Sequence, residues 1–518
     1  MRKGLLLAFS AFLFALIAYI AHLWLSVLEG FPANFSPIIS SKLPSIRAEN
    51  DKPIAKQVFF ILFEEEISFS GNGAYFQVVW PEVPGYYTHY VMLITGAPPE
   101  LVGVYFEPRP IKANNLLEEM ARSGLRVAFS GPYWWKELLG PSVKDLYASF
   151  FALPDRYPEI FSEGKRFASL FSPDFLFLHI PSGGDALEGN PEALGFDASQ
   201  DILVVLTPSS FIVAGNGVIP GNYGPISFLD IASTLGVLSG SPVPAAKGIP
   251  LLHAFLLSDE LKALKLASVA HQRVQLADFY LKKLIGRSLD EGIKSDAALI
   301  LNSLELGNIY AVLELAKLTL EEANEAIVRA RASTIIAGKW RRLPLFLLWA
   351  LVPPLLLTLR RKPSAWLLIM AGLLSFTMNA WLFRQEWHSF SWEALLRSDL
   401  SLSAIKRTFL SLYVPALLPL LWLLLEMEED AIEAGETLAR YGLWTLYFTS
   451  LPVALSFLMI GAVPVYFFPS LGFYAAEFMG LQQLFLSGLL ALPLPFVGMG
   501  LFLPLKLIAF MMHRSETN

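Results

Sequence analysis

The distribution of apolar residues constrains this chain most: they crowd the first 30 positions and everything after residue 342, while the stretch between alternates polar and apolar. A helix rises about 1.5 Å per residue, so about 20 apolar residues in a row reach across a bilayer's hydrocarbon. Gly4 to Leu28 is such a run. It follows Met1-Arg2-Lys3, the basic lead of a signal peptide or signal anchor. No small-x-small cleavage site closes it, so residues 1–30 read as an N-terminal membrane anchor. Basic residues ahead of it place the N-terminus in the cytoplasm and the large domain that follows outside or in a lumen.

Beyond Lys339-Trp340-Arg341-Arg342, apolar runs at 343–359, 365–383, 408–426, 441–462 and 482–512 predict five or six further transmembrane helices over 343–512. The last run holds Pro493, Pro495 and Pro504, so it is one kinked span or two short ones. Arg360-Arg361-Lys362 falls in an inside loop, as the positive-inside rule asks, whereas Lys339 to Arg342 and the acidic stretch from Glu426 fit that orientation less well. At 54% hydrophobic and 16% charged the chain is richer in apolar residues than a water-soluble domain. A net charge of -6 supplies no basic field for a polyanion, which sets nucleic acid aside as a partner. Cysteine is absent, which excludes disulfides, thiolate metal sites and a cysteine nucleophile.

From Asn50 to Leu257 short apolar runs recur at Val58–Phe63, Tyr90–Ile94, Leu125–Ser130, Phe175–His179 and Ile202–Leu206. Runs of this length separated by longer stretches suit buried parallel strands with crossover helices, hence an α/β domain over 50–257. Residues 258–338 have helical apolar spacing with few glycines or prolines and read as a helical extension of two or three helices.

Seven short motifs follow one another within 55–255. Gln57-Val-Phe-Phe-Ile-Leu-Phe63 looks like a first strand. Leu93-Ile-Thr-Gly-Ala-Pro-Pro-Glu-Leu-Val-Gly-Val104 looks like "LVTGxxPxxHGI", and Arg126-Val-Ala-Phe-Ser-Gly-Pro-Tyr-Trp-Trp135 is similar to "RVAFxGDDTW". Pro173 to His179 resembles the strand before "GVDHxGH", and Asp201 to Leu206 the strand before "DHG". Gly221-Asn-Tyr-Gly224 stands where "GxHG" would be, and Ile226 to Pro250 looks like "VSQxDLxPTLxxLLGxPxPxxxxG". In this order they resemble the alkaline phosphatase superfamily, and within it the GPI ethanolamine phosphate transferases and the nucleotide pyrophosphatase/phosphodiesterases. The transferases share the whole layout of one anchor, an outer domain and many C-terminal spans.

That resemblance implies an α/β alkaline-phosphatase-like extracytoplasmic domain beside a multi-span α-helical membrane domain. It also implies in-line phosphoryl transfer at two divalent metals, held by carboxylate and imidazole ligands. Carried over position by position, the first metal aspartate falls on Glu64, followed by Glu65 and Glu66, and the nucleophile on Tyr86, with Thr88 two residues away. The "GVDHxGH" pair falls on Gly184 and Glu188, with Asp185 one place out of register. The "DHG" pair falls on Pro208 and Ser209, and the last histidine on Tyr223. Most of these residue types cannot hold a hard cation. The expectation is therefore a catalytically degenerate copy with no metal cofactor; two divalent metals return only if the site is active.

Of the seven histidines only His89 and His179 fall near this pocket, and none has metal-ligand spacing to another. His179 ends an apolar strand and reads as a core histidine; His89 is a loop histidine or a base for Thr88. Glu64-Glu65-Glu66 is a metal cup or a solvated acidic turn, since neighbours on an extended chain point to opposite faces. Tyr133-Trp134-Trp135 suits sugar stacking, lipid contact or plain core packing. Lys506 stands inside an apolar run, with Glu477 a candidate partner. Three functions stay open. The first is a degenerate protein binding or helping assemble lipid-linked substrates at the outer face, its partners the bilayer, a lipid-linked glycan or phospholipid, and other membrane proteins. The second is an active phosphoethanolamine-type phosphotransferase or phosphodiesterase using Thr88 with Glu64, Asp185 and Glu188. The third is a transporter or scramblase with an extracytoplasmic cap.

Overall fold

The computed structural model describes residues 42 to 516 except 45–51, 68, 70, 82, 84, 104, 106, 182–193, 359–363, 387–398, 426–430 and 461–470. The anchor expected at residues 1–30 lies outside the described residues. Among the described residues two compact units result, one within Phe35–Thr334 and the other within Ile335–Pro464 and Pro469–Asn518.

The first unit is built on an eight-stranded mixed sheet. Its strands are β1 Val58–Phe63, β2 Ala74–Val79, β3 Val127–Pro132, β4 Ala148–Ala152, β5 Phe175–Ile180, β6 Ile202–Leu206, β7 Ser210–Gly215 and β8 Gly221–Ser227. They lie side by side in the order β4-β3-β5-β1-β6-β7-β2-β8. Only β7 runs against its neighbours, closing a hairpin with β6; the other pairings are parallel. The helices that follow are α1 Tyr86–Thr95, α2 Leu116–Arg122, α3 Trp134–Leu139, α4 Glu159–Phe171, α5 Asp230–Ser239, α6 Asp259–Ile285 and α7 Glu291–Glu305.

Both faces of the sheet are covered, which explains why β1 reads VFFILF with no polar position. Val58, Phe60 and Leu62 enter the larger core with α1, α3 and α5, while Phe59, Ile61 and Phe63 enter the core under α4. The same alternation runs through β5, where Phe175 and Phe177 face the larger core and Leu176, Leu178 and Ile180 the smaller. Strands were expected at Val58–Phe63, Leu125–Ser130, Phe175–His179 and Ile202–Leu206, and strands occur there. Tyr90–Ile94 is a correction: it is the second half of α1, capped by Gly96 in the left-handed conformation at φ 64°. A short apolar run carries no periodicity that separates a buried helix from a buried strand.

Helix α8 is a single 50-residue element, Ile309–Thr358, that contains Lys339 to Arg342 and the apolar run starting at 343. It is followed by α9 Ser364–Glu386, α10 Asp399–Leu425, α11 Ala431–Ile460, α12 Leu471–Ala491 and α13 Leu494–Glu516. By length and composition, and among the described residues, three stretches can cross a membrane: Trp366–Arg384, Ser403–Leu425 and Gly480–Ile508. The last of these takes in the break at Leu492–Pro493 between α12 and α13, so the long C-terminal apolar run is two helices. Proline has no N–H to continue the ladder, and its ring would meet the preceding turn.

Candidate functional site

The carboxyl ends of β1 and β5 lie side by side, and their register sets the site. Leu62 pairs with His179 and Phe63 with Ile180, so Glu64, next along β1, follows on the face of Val58, Phe60 and Leu62. His179 shares the face of Phe175 and Phe177 by the same alternation. Both side chains therefore turn toward α1 and α3. His179 is fully buried, and its Nε2 stands 3.1 Å from Glu64 Oε1. Its Nδ1 accepts the indole N–H of Trp135 at 2.7 Å, and Trp135 is itself fully buried at the start of α3.

Helix α1 supplies the remaining partners. The hydroxyls of Tyr86 and Tyr90, one turn apart, donate to the same Glu64 oxygen at 2.6 and 2.8 Å. Gly85 lets the chain enter α1 there. Its φ is 81°, and a Cβ would stand 2.4 Å from the Tyr105 carbonyl oxygen. Around the carboxylate the rings of Tyr86, Tyr87 and Tyr90 meet the Trp134 ring at centroid distances of 6.2, 5.2 and 4.7 Å. Tyr86 is 54% exposed, so this aromatic rim reaches the surface.

The electrostatics follow from the bonds. Partial burial opposes the charge of Glu64, yet hydrogen bonds from His179, Tyr86 and Tyr90 outweigh it and hold the carboxyl at about 2. Burial pushes His179 below the ordinary histidine range, against the pull of Glu64. Burial and the neighbouring carboxylate push the Tyr86 and Tyr90 phenols upward. At neutral pH the cluster is a carboxylate, a neutral imidazole and protonated phenols. An indole N–H on Nδ1 leaves the imidazole proton on Nε2, where it donates to Glu64. Neither ring nitrogen then has a lone pair for a cation. Tyr86 holds its proton against a weak carboxylate base, which is the opposite of an activated nucleophile.

The structure brings Glu64 and Tyr86 together and adds Tyr90, Trp135 and His179. It does not bring Thr88 there. Thr88 is buried, and its hydroxyl accepts the Tyr105 N–H at 2.9 Å, tying α1 to the following loop. His89 does not serve Thr88 as a base; its Nε2–H donates to the Pro81 carbonyl at 3.1 Å. Glu65 is exposed, and Glu66 accepts from Thr207 at 2.9 Å, so the three glutamates do not form one cup. Pro208 and Ser209 form the exposed turn between β6 and β7. Tyr223 stands on β8, four places from β1 in the sheet, stacked on Phe76 with its hydroxyl on the Ile219 carbonyl at 2.8 Å. Four strand spacings come to about 19 Å, too far to share a ligand with Glu64. Gly184, Asp185 and Glu188 lie outside the described residues.

Among the described residues no group of three or more histidines and carboxylates could hold a metal ion. The residues that are described do not fit the two divalent cations the resemblance implies. Comparison with protein-family models, with curated proteins and with solved structures found no match.

Proposed function

We propose that this chain is a membrane-bound, degenerate member of the alkaline phosphatase superfamily that binds, or helps assemble, lipid-linked substrates at the outer membrane face. One observation carries the reading. At the place of the family's first metal ligand stands a carboxylate already bonded by two tyrosines and a histidine, beside a tyrosine at the place of the nucleophile. Such a cluster is rigid and anionic, and it needs no cation to balance its donors. The half-exposed rings of the Tyr86 and Trp134 rim suit the apolar face of a sugar. Three stretches long and apolar enough to cross a membrane support a place at the bilayer, where lipid-linked glycans or phospholipids are found. In this reading the α/β domain is extracytoplasmic, with the N-terminus in the cytoplasm.

The test is turnover of bis(p-nitrophenyl) phosphate by full-length protein in detergent, supplied with zinc or manganese. The reading expects the wild type to match Glu64→Gln at background. Turnover that disappears in Thr88→Ala or Tyr86→Phe would instead support an active phosphodiesterase. On the binding side, retention on immobilised glycans is expected to fall in Trp134→Ala when measured well below the melting temperature of the variant, which is itself lowered by the lost ring packing.

A further inference from the structure

The part of α8 after Ile335 carries a surface that none of the preceding chemistry uses. One side of it is tied to α11, which runs the opposite way. Arg342 donates from Nε to the Leu458 carbonyl at 3.2 Å and from Nη2 to the Met459 carbonyl at 3.4 Å. About two turns on, the Trp349 indole donates to Ser450 Oγ at 2.9 Å, and the Tyr447 hydroxyl donates to the Ala350 carbonyl at 2.8 Å. The other side is open and apolar. Leu345, Leu348, Val352 and Leu355 are all exposed, and with Arg341 ahead of them they recur at helical spacing as one stripe. Arg341 is exposed at the head of that stripe, next to Trp340, which is 69% exposed. Among the described residues Arg341 makes no hydrogen bond or ion pair, whereas Arg342 beside it is engaged with α11.

The end of α11 fixes the level of this surface. α11 closes at Ile460, and the last four carbonyls of a helix have no partner within it. Hydrocarbon offers such carbonyls no water, so in a bilayer this end belongs at the boundary with the headgroups. Arg342 serves two of the carbonyls there, a cation at the negative end of a helix. Arg440, paired with Glu436, lies about 20 residues earlier on α11, which is about 30 Å of helix and the thickness of bilayer hydrocarbon. Arg341 and Trp340 therefore stand at headgroup level, where tryptophan gathers. The stripe from Leu345 to Leu355 runs about 15 Å inward from them, the depth of one leaflet. A cation above a leaflet-deep apolar stripe has the proportions of a lipid, headgroup over acyl chain. The planar guanidinium matches two phosphate oxygens at once, and Lys339 adds a second positive charge within a turn.

We propose that Arg341, flanked by Trp340 and Lys339, docks the headgroup of an anionic phospholipid whose acyl chain lies along Leu345, Leu348 and Val352. This rests on the membrane-bound part of the proposed function and not on the chemistry of Glu64. Metal content and phosphodiesterase turnover report on Glu64, and recovery of the chain in the membrane fraction reports on the bilayer, so failure of either is distinguishable from failure of this site. The experiment is native mass spectrometry of delipidated full-length protein given equal amounts of phosphatidylglycerol and phosphatidylcholine with the same chains. The wild type is expected to retain phosphatidylglycerol in preference, and Arg341→Gln to lose about fivefold of that retention, a change of about 1 kcal/mol. Phosphatidylcholine retention is expected to be equal in both. Lys317→Gln, which removes the same charge from an earlier turn of α8, is expected to behave as the wild type. Equal retention of phosphatidylglycerol by the wild type and Arg341→Gln would overturn the proposal. So would dimers of the wild type that Arg341→Gln separates without a change in lipid retention, since a second copy would then be the occupant. Should Arg341→Gln not fold, wild-type protein labelled with diazirine-bearing phosphatidylglycerol decides: label on residues 337–352 supports the site, and label only elsewhere overturns it.

Discussion

Trp135 donates its indole N–H to Nδ1 of His179 at 2.7 Å, and this bond decides which nitrogen of the histidine faces Glu64. With Nδ1 engaged as an acceptor, Nε2 carries the proton and the carboxylate receives it. Trp135→Phe keeps most of the ring volume and removes the donor. A buried acceptor without its partner costs about 1–3 kcal/mol, and chemical denaturation is expected to report a loss of that size. A variant as stable as the wild type would show that the bond does not organise the site.

Acid is expected to destabilise the domain in two stages. His179 is held below its ordinary 6.5, so the unfolded chain takes up a proton that the folded chain refuses, and stability falls as pH drops below about 6.5. Glu64 is held at about 2 against an ordinary 4.5, so its contribution is complete above 4.5 and is lost as pH falls toward 2. Melting temperatures taken from neutral pH downward check this. His179→Ala should remove the upper stage and also shrink the lower one, since the His179 hydrogen bond is among those holding Glu64 down.

Thr88→Ala is expected to act on stability alone. It removes the acceptor of the buried Tyr105 N–H, worth about 1–3 kcal/mol. A denaturation midpoint that stays put would place the hydroxyl outside the core.

Tyr86→Phe removes one of three donors to Glu64 at a half-exposed position. The stability cost is small, about 0.5–1.5 kcal/mol. The clearer readout is the Glu64 carboxyl, which should titrate at higher pH in the variant when followed by carbon-detected NMR.

Much of the sheet was legible in the sequence because β1, β5 and β6 are buried on both faces and read as unbroken apolar runs. β2 alternates between buried and open positions, and β8 is largely open and carries two glycines and a proline, so neither stands out as an apolar run. The site was legible in pieces. Glu64 and His179 each stood at the end of a recognisable strand, and the cue that joins them is the parallel register of β1 with β5, which no single stretch encodes. Tyr90 was hidden by reading its segment as a strand instead of the face of α1 that presents two hydroxyls one turn apart. Trp135 could not be assigned a partner before α3 was seen against β5.

The most direct test of the account is the metal content of full-length protein purified without chelator, equilibrated with zinc and manganese, and passed through a desalting column before elemental analysis. The account predicts far less than one ion per chain, unchanged in Glu64→Gln. Two ions per chain, lost in Glu64→Gln, would contradict it.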